Sequence, residues 1–240
     1  MPGPVQRFAD ATALLEAALA FVTQAAKQAV AARGRFTIAL AGGATPLPLY
    51  AAMAERGFGA PFETTLFFLG DERLVPVGDR RSNFGTIAPL LLTPAPIPIG
   101  NIHPMPVEIA PPELAAVTYE EEIRTAFGCP PEAIPRFDLI LLGLGPDGHT
   151  ASLFPDSPAL AEKIRLIRAV PAPTTAEPRV GRLTFTLPLI NAARQILFLA
   201  AARGKEMPLG KVLAGRPEPQ IPASLVCPDD GDVAWYILDA

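Results

Sequence analysis

Residues 137–149 of the chain read FDLILLGLGPDGH, and this stretch decides the fold. Its first six residues form an apolar run that predicts a buried strand. A glycine-rich turn then brings His149, one of two histidines in the chain, to the start of the next element. Ligands bind beside the carboxyl ends of strands in an open parallel sheet, and imidazole exchanges protons near neutral pH, so we expect chemistry at His149. The alternative is a structural turn whose histidine occupies a hydrogen-bonded niche.

Apolar periodicity along the rest of the chain alternates between helix and strand. Helices are predicted over residues 11–32, 47–56, 82–92 and 113–127, with another opening near residue 204. Strands are predicted over residues 35–41, 65–69, 137–142, 164–170, 183–187, 195–201 and 233–238. The proline-rich residues 93–112 are predicted to form an ordered surface connection. This alternation predicts a doubly wound, mainly parallel α/β sheet with helices on both faces, in one domain over residues 1–240.

Composition narrows the classes of partner. Half of the 240 residues are hydrophobic, 18% are charged and the net charge is −4, so we expect a folded core and no nucleic-acid partner. Cys129 and Cys227 are far apart and show no C-x-x-C spacing, which suits a reducing compartment. The sequence shows no signal peptide and no apolar run long enough to span a bilayer. We therefore expect a soluble cytoplasmic protein with no membrane partner.

A loop of small residues between a predicted strand and helix has the features of a phosphate site. Gly42, Gly43 and Ala44 allow backbone N–H groups to approach an anion, and the helix dipole favours negative charge there. Thr45 suits the N-cap and adds a hydroxyl donor, and Pro46 suits the first helical position. A tight turn with a good cap explains the same residues equally well. The loop is not a Walker motif, because no Gly-Lys-Ser/Thr follows.

Other chemistry finds little support in the sequence. Gly143, Gly145 and Gly148 match the dinucleotide fingerprint, but Pro146 stiffens the turn, Asp147 would meet the pyrophosphate, and the acidic residue expected about twenty positions later is missing.

Nucleophile and metal motifs are also missing. No Gly-x-Ser-x-Gly motif is present, Ser152 shows no sign of activation, and two histidines with two separated cysteines argue against a zinc site. The cluster Asp71, Glu72 and Arg73 fits either a solvated loop or an arginine that faces an anionic substrate. We predict no cofactor and no metal.

Several segments together resemble the 6-phosphogluconolactonase family. They are residues 41–46 (AGGATP), 70–76 (GDERLVP) with Asp79 and Ser82-Asn83, 101–103 (NIH), 143–155 (GLGPDGHTASLFP), and 182–186 (RLTFT) running on to 191–194 (NAAR). They cover nearly the whole chain in the family's order, and residues 143–155 are the most specific segment. Ala44 stands where relatives often have Ser, which removes a hydroxyl but leaves the backbone cradle.

The resemblance implies hydrolysis of 6-phospho-D-glucono-1,5-lactone to 6-phospho-D-gluconate, in the pentose phosphate pathway. Water needs a base and the ring oxygen needs a proton as it leaves, so we assign His149 as the group that activates water and returns the proton. A helix N-terminus after the loop would favour the neutral imidazole. Asp147 either orients the imidazole or the water, or serves only as a turn residue.

The substrate phosphate is assigned to the backbone of Gly42, Gly43, Ala44 and Thr45 with a set of basic side chains. Arg182 at the start of a strand and Lys205 at the start of a helix are the main ones, and Arg73 is a weaker one; ordinary surface charge is their alternative explanation. Asn83 is assigned to the sugar hydroxyls, although capping of a helix explains it as well. His103 is expected to be structural.

Two other functions stay open. Glucosamine-6-phosphate deaminases share the phosphate loop and the Asp-Gly-His turn, but their histidine segment usually continues into an Asn-Glu-Pro-Gly-like stretch, where this chain has Ser152-Leu153-Phe154-Pro155. A non-catalytic sugar-phosphate sensor on the same fold would keep the loop without needing His149, and it would usually carry a DNA- or protein-binding appendage.

Overall fold

The computed structural model describes residues 3–239, and this part of the chain contains ten strands. They are β1 (Val5–Phe8), β2 (Phe36–Leu40), β3 (Thr65–Leu69), β4 (Asp71–Arg73), β5 (Ile102–His103), β6 (Leu139–Leu142), β7 (Ile167–Val170), β8 (Arg182–Phe185), β9 (Gln195–Ala201) and β10 (Asp232–Leu238). The helices are α1 (Ala11–Arg33), α2 (Leu47–Arg56), α3 (Asn83–Ile87), α4 (Pro112–Phe127), α5 (Leu187–Asn191) and α6 (Glu206–Leu213). A π-helical turn, Ala88–Leu92, continues α3.

Seven of these strands form one parallel sheet in the order β1–β10–β9–β6–β2–β3–β5. This arrangement confirms the predicted, mainly parallel α/β fold. The remaining strands, β4, β8 and β7, form a small antiparallel sheet. The strands predicted over residues 164–170 and 183–187 therefore lie outside the parallel sheet. The alternation of helices and strands in the sequence predicted that they would belong to it.

Local hydrogen bonds explain why β7 and β8 are shorter than predicted. The carboxylate of Glu162 accepts the backbone N–H groups of residues 163–165, so these residues cannot donate to a neighbouring strand. At the other boundary, Thr186 is the N-cap of α5, and its hydroxyl donates to the carbonyl oxygens of Arg165 and Leu166. Strands β1, β4 and β5 were not predicted; β4 and β5 are too short to show a period.

Apolar cores lie on both faces of the parallel sheet. The longest helix, α1, contributes Val22 and Ala26 to one core, which α2 completes with Tyr50. The second core joins strands of both sheets with α4 and includes Phe198 and Phe185, both without exposed surface. Because the two sheets share this core, we propose that the chain is one domain, as predicted over residues 1–240; residues 1, 2 and 240 lie outside the described part.

A buried carboxylate fixes the pairing of β2 with β6. Asp138, directly before β6, accepts hydrogen bonds at Oδ2 from the backbone N–H and the hydroxyl of Thr37, both at 2.9 Å. In return, its own backbone N–H donates to Thr37 Oγ1 at 2.9 Å. Arg33, the last residue of α1, donates to Asp138 Oδ1 at 2.6 Å. These bonds specify one register, and only about 5% of the Asp138 side chain is exposed.

The same pair of strands marks the point where the chain changes direction across the sheet. From β2 the chain proceeds through β3 to β5 on one side, and from β6 through β9 to β10 on the other. Connections on either side of such a point diverge and leave a crevice at the carboxyl ends of the strands. The loops that follow β2 and β6 border this crevice.

We expect the substitution Asp138→Ala to destabilise the protein by about 3 kcal/mol, measured as the free energy of unfolding in urea. Removal of one partner from a buried charged cluster typically costs about 3–5 kcal/mol. The lower end applies because about 35% of the Arg33 side chain is exposed, so this guanidinium stays partly hydrated. Asp230→Ala is the matched control: this carboxylate also pairs with an arginine, but 91% of its side chain is exposed, so we expect no measurable change. Equal stability of the two variants would contradict this account of the β2–β6 pairing.

Candidate active site

A cleft opens at the carboxyl ends of β2 and β6. Its walls come from both sheets and from the segments that connect their strands and helices. The residues that line it include Gly42, Gly43, Ala44, Thr45, Asp71, Arg73, Gly143, Gly145, His149, Glu177, Arg182 and Lys205. The structure thus brings His149 and most of the predicted phosphate-binding residues into one cavity, although they are distant in sequence.

The loop after β2 needs its two glycines for different reasons. Gly43 has φ +88°, a conformation that side chains strongly disfavour. A Cβ on Gly42 would lie 2.0 Å from Asn83 Oδ1, so this position has no room for one. The buried Tyr50 hydroxyl holds the start of the loop, because it accepts from the N–H of Ala41 at 2.9 Å and donates to the carbonyl oxygen of the same residue at 2.7 Å. The loop backbone is therefore fixed before a ligand arrives.

The helix after this loop spans the predicted residues 47–56, but its cap differs from the predicted one. Helix α2 starts at Leu47 and Pro46 occupies the N-cap, where a proline side chain makes no capping hydrogen bond. Thr45 is therefore not the N-cap. It lines the cleft.

Asn83 lies behind the loop and does not line this cleft. Its Nδ2 donates to the Asp71 carbonyl oxygen at 2.9 Å, and only 2% of the residue is exposed. The cap of α3 is Ser82, whose hydroxyl accepts from the N–H of Gly85 at 2.9 Å. The capping role is therefore wrong for Asn83, which supports Gly42 and holds Asp71. The contact with sugar hydroxyls stays a prediction, and Asn83 lines an adjoining cavity with Gly42 and Arg73.

Asp71 and Glu72 are buried, which excludes the solvated-loop interpretation of this cluster. Glu72 accepts hydrogen bonds from the backbone N–H groups of Asn83 and Phe84 at the start of α3. Burial raises the pKa of Glu72, and these N–H groups oppose the increase. Asp71 lines the cleft, and its Oδ2 accepts from the hydroxyl of the fully buried Ser152 at 2.6 Å. Sequence reasoning missed Asp71 as a site residue, although its place just beyond a buried strand was a usable signal.

Three cationic side chains line the cleft. Arg182 is 2% exposed; it donates through Nη2 to the carbonyl oxygen of Pro178 at 3.0 Å and lies 3.8 Å from Asp71 Oδ2. Within residues 3–239, the buried Nε atoms of Arg182 and Arg73 have no hydrogen-bond partner. Burial lowers the pKa of Lys205 and of Arg182. Buried cations with free donors favour an anionic ligand.

His149 and Asp147 form a hydrogen-bonded pair, and His149 lines the same cleft. Asp147 Oδ1 lies 2.5 Å from His149 Nδ1, and Asp147 Oδ2 accepts from the Thr175 hydroxyl at 2.7 Å. Partial burial raises the pKa of Asp147, but the hydrogen bonds from His149 and Thr175 outweigh it and hold this pKa well below its usual range. The carboxylate is therefore ionised at neutral pH. Gly145 permits the arrangement, because a Cβ there would lie 2.1 Å from His149 Nδ1.

No helix follows His149, so the predicted helix N-terminus is wrong. The loop folds back on itself: Gly145 N–H donates to the His149 carbonyl oxygen at 2.8 Å, and Gly148 N–H donates to the Gly145 carbonyl oxygen at 3.0 Å. Gly148 has φ +84°, which suits glycine in this tight turn. The environment of the imidazole is therefore set by the Asp147 carboxylate rather than by a helix dipole.

His103 lies away from the cleft. Its ring stacks on Phe68 with a centroid distance of 4.3 Å, and its Nδ1 lies 2.8 Å from Glu122 Oε1. These contacts fit the structural role expected for this histidine.

Within residues 3–239, no group of three or more His, Cys, Asp or Glu side chains is arranged to hold a metal ion. No helix in this range is long and apolar enough to cross a membrane.

Comparison with known proteins places this site in a family. The sequence profile described as "Glucosamine-6-phosphate isomerases/6-phosphogluconolactonase" matches residues 9–235. A 6-phosphogluconolactonase from Synechocystis is 46% identical over 93% of this chain and 90% of its own length. The human 6-phosphogluconolactonase is 39% identical over 100% of this chain and 92% of its own length. The crystal structure of 6-phosphogluconolactonase from Thermotoga maritima superimposes with a TM-score of 0.84 at 31% identity, covering 98% of this chain and 99% of that one.

Both the matched range and these identities extend over almost the whole chain, including every segment that lines the cleft. The chain belongs to the glucosamine-6-phosphate isomerase/6-phosphogluconolactonase family.

Proposed function

We propose that the protein hydrolyses 6-phospho-D-glucono-1,5-lactone to 6-phospho-D-gluconate. The observation that carries the proposal is the placement of the His149–Asp147 pair in the same cleft as the loop after β2 and the cations Arg182 and Lys205. The cleft then offers a base together with partners for a phosphate. The relatives named 6-phosphogluconolactonase, at 46% and 39% identity, support this choice of substrate.

In this proposal, His149 acts through Nε2, because Nδ1 faces Asp147. Nε2 takes a proton from water as the oxygen attacks the lactone carbonyl carbon, which gives a tetrahedral intermediate. Collapse of the intermediate breaks the bond between this carbon and the ring oxygen. The imidazolium returns the proton to the ring oxygen, which leaves as the 5-hydroxyl group of 6-phosphogluconate.

Asp147 has a defined part in this scheme. Its ionised carboxylate accepts a hydrogen bond from the N–H at Nδ1, so the ring proton stays on Nδ1. Nε2 is then unprotonated and faces the water. The negative charge also stabilises the imidazolium during the reaction. A residue that only formed the turn would not need a side chain within 2.5 Å of the ring.

The phosphate is assigned to the loop after β2 and to the cations of the cleft. Backbone N–H groups of Gly42, Gly43, Ala44 and Thr45 border the cleft, and the N-terminus of α2 adds a favourable dipole. Arg182, Arg73 and Lys205 supply the positive charge. The buried Nε atoms of both arginines have no partner among residues 3–239, which favours an anion here, because such donors gain a hydrogen bond when the phosphate enters.

The cellular setting belongs to the same proposal. The ligand is a small sugar phosphate, with no nucleic-acid or membrane partner, and the protein acts in the cytoplasm. The net charge of −4 and the two unpaired cysteines, Cys129 and Cys227, support this setting.

We expect the purified protein to open 6-phosphogluconolactone faster than the spontaneous reaction and to release no ammonia from glucosamine 6-phosphate. The two assays should be run side by side, following acid release and ammonia release. Unphosphorylated gluconolactone should be a poor substrate, and activity should persist in EDTA. Ammonia release that rivals lactone opening would favour the deaminase alternative, and binding of both sugars without turnover would favour the sensor.

We expect His149→Asn to lower kcat by roughly 10²–10⁴-fold, the usual range for loss of a general base, with little change in KM. The acid limb of the pH–rate profile should disappear with it, because the imidazole must be unprotonated to accept the proton from water. Asp147→Asn should cost less, since an amide still contacts the ring. His103→Asn is the control and should keep its activity per folded molecule. A folded His149→Asn protein with wild-type kcat and an unchanged pH profile would refute the assignment.

We expect Lys205→Ala to raise KM about 10–150-fold with little effect on kcat, because one charge-assisted contact contributes about 1.5–3 kcal/mol. Burial lowers the pKa of Lys205, so the ammonium loses its proton at a lower pH than an exposed lysine does. Wild-type KM should therefore rise on the alkaline side before pH 10.5, and this increase should be absent in Lys205→Ala. Lys211→Ala is the control, since that lysine pairs with Glu218 outside the cleft. A KM that does not respond to Lys205→Ala would remove Lys205 from the phosphate site.

A further inference from the structure

The segment between β7 and β8, residues 171–181, reaches the His149–Asp147 pair by a single side-chain hydrogen bond. Thr175 Oγ1 donates to Asp147 Oδ2 at 2.7 Å, while the other oxygen of the same carboxylate faces His149 Nδ1 at 2.5 Å. Three groups thus form a chain from hydroxyl to carboxylate to imidazole. The sequence gives no hint of it, because Thr175 is 28 residues from its partner and lies in a segment without helix or strand.

We propose that Thr175 is a positioning residue that orients the Asp147 carboxylate and limits how strongly this carboxylate attracts the proton of His149. The inference rests on the proposed function for its effect on catalysis. A carboxylate that accepts a hydrogen bond at one oxygen is a weaker acceptor at the other, since part of its charge is already neutralised. Thr175 therefore favours the neutral imidazole that a base requires.

The remainder of the segment is held close to the cleft. Pro178 accepts from Arg182 Nη2 at 3.0 Å, and Ala176, next to Thr175, is only 9% exposed. Glu177 lines the cleft itself. These contacts, all just after Thr175 in the chain, hold the segment close to the position from which the Thr175 hydroxyl contacts Asp147.

Other charges also act on the imidazole and must be separated from the effect of Thr175. The charged groups that line the cleft with His149 are Asp71 and Arg73 from β4, Arg182 from β8, Glu177 from the 171–181 segment, and Lys205 before α6. Thr175→Val changes none of these charges. Glu177 is the one that a shift of the segment would move, so it needs its own control.

The test is Thr175→Val, which removes the hydroxyl at nearly constant volume. We expect the midpoint of the His149 ring titration, followed by NMR, to rise by about 0.3–1 pH unit, because the unshared carboxylate favours the imidazolium. The acid limb of kcat should move upward by the same amount. We also expect kcat at its plateau to fall about 3–30-fold, less than the 10²–10⁴ expected for loss of a base, with KM unchanged.

Three matched variants make the result specific. Thr175→Ser restores the hydroxyl and should behave like the wild type. Thr174→Val alters the neighbouring exposed threonine, whose side chain has no hydrogen bond within the described residues, and should have no effect. The double variant Thr175→Val with Glu177→Gln should show the same rise in the His149 titration midpoint, measured relative to Glu177→Gln alone.

The outcomes separate this inference from the proposed function. A raised titration midpoint in a protein without lactonase activity would leave the positioning role intact and refute the function. An unchanged midpoint in Thr175→Val, or a change in KM alone, would overturn the positioning role even in an active lactonase. A shift that disappears when Glu177 is neutral would also overturn it, because the effect would then belong to Glu177.

Discussion

The pairing of β2 with β6 is the constraint on which the site depends. Asp138 and Thr37 exchange hydrogen bonds across these two strands, so the strands have one register and their carboxyl ends lie side by side. A shift of one residue would reverse the side-chain directions in a strand that is buried on both faces. It would also separate the loop after β2 from the loop that carries His149. The carboxylate at one end of the strands thus determines the chemistry at the other end.

Glycine positions convert this framework into a site. Gly42 and Gly145 occupy equivalent places, the loops after β2 and β6, and in each loop a Cβ would collide with a polar side chain. Asn83 fills the space beside Gly42, and the His149 ring fills the space beside Gly145. The absence of a Cβ is therefore a packing requirement in both loops. This explains why a match to the dinucleotide fingerprint in residues 143–148 misleads: Gly145 makes room for an imidazole rather than for a pyrophosphate.

Five of the seven strands of the main sheet could be predicted because they are continuous apolar runs, and the longer helices carry a clear 3.6-residue period. Strands β1 and β5 at the two edges were not predicted. The small sheet could not be predicted, because β4 has three residues and pairs with β8, more than 100 positions later. The site was predictable where a residue follows a strand directly, as for Gly42 and His149. It was not predictable for Asn83, whose neighbour Ser82 caps the helix, or for the turn after His149, where backbone bonds replace the expected helix.

The surroundings of Arg182 show how a folded chain keeps hydrogen-bond donors available for a ligand. Asp71 lies only 3.8 Å from Arg182 Nη1, yet this carboxylate already accepts from Ser152 at 2.6 Å and from Asn83. Its charge offsets part of the cost of burying the guanidinium, while its oxygens are occupied by other donors. Arg182 therefore stays charged and in place, and its Nε has no partner among residues 3–239. An arginine in a complete ion pair would be more stable in the free protein and would bind a phosphate less well, since entry of the ligand would first have to break that pair.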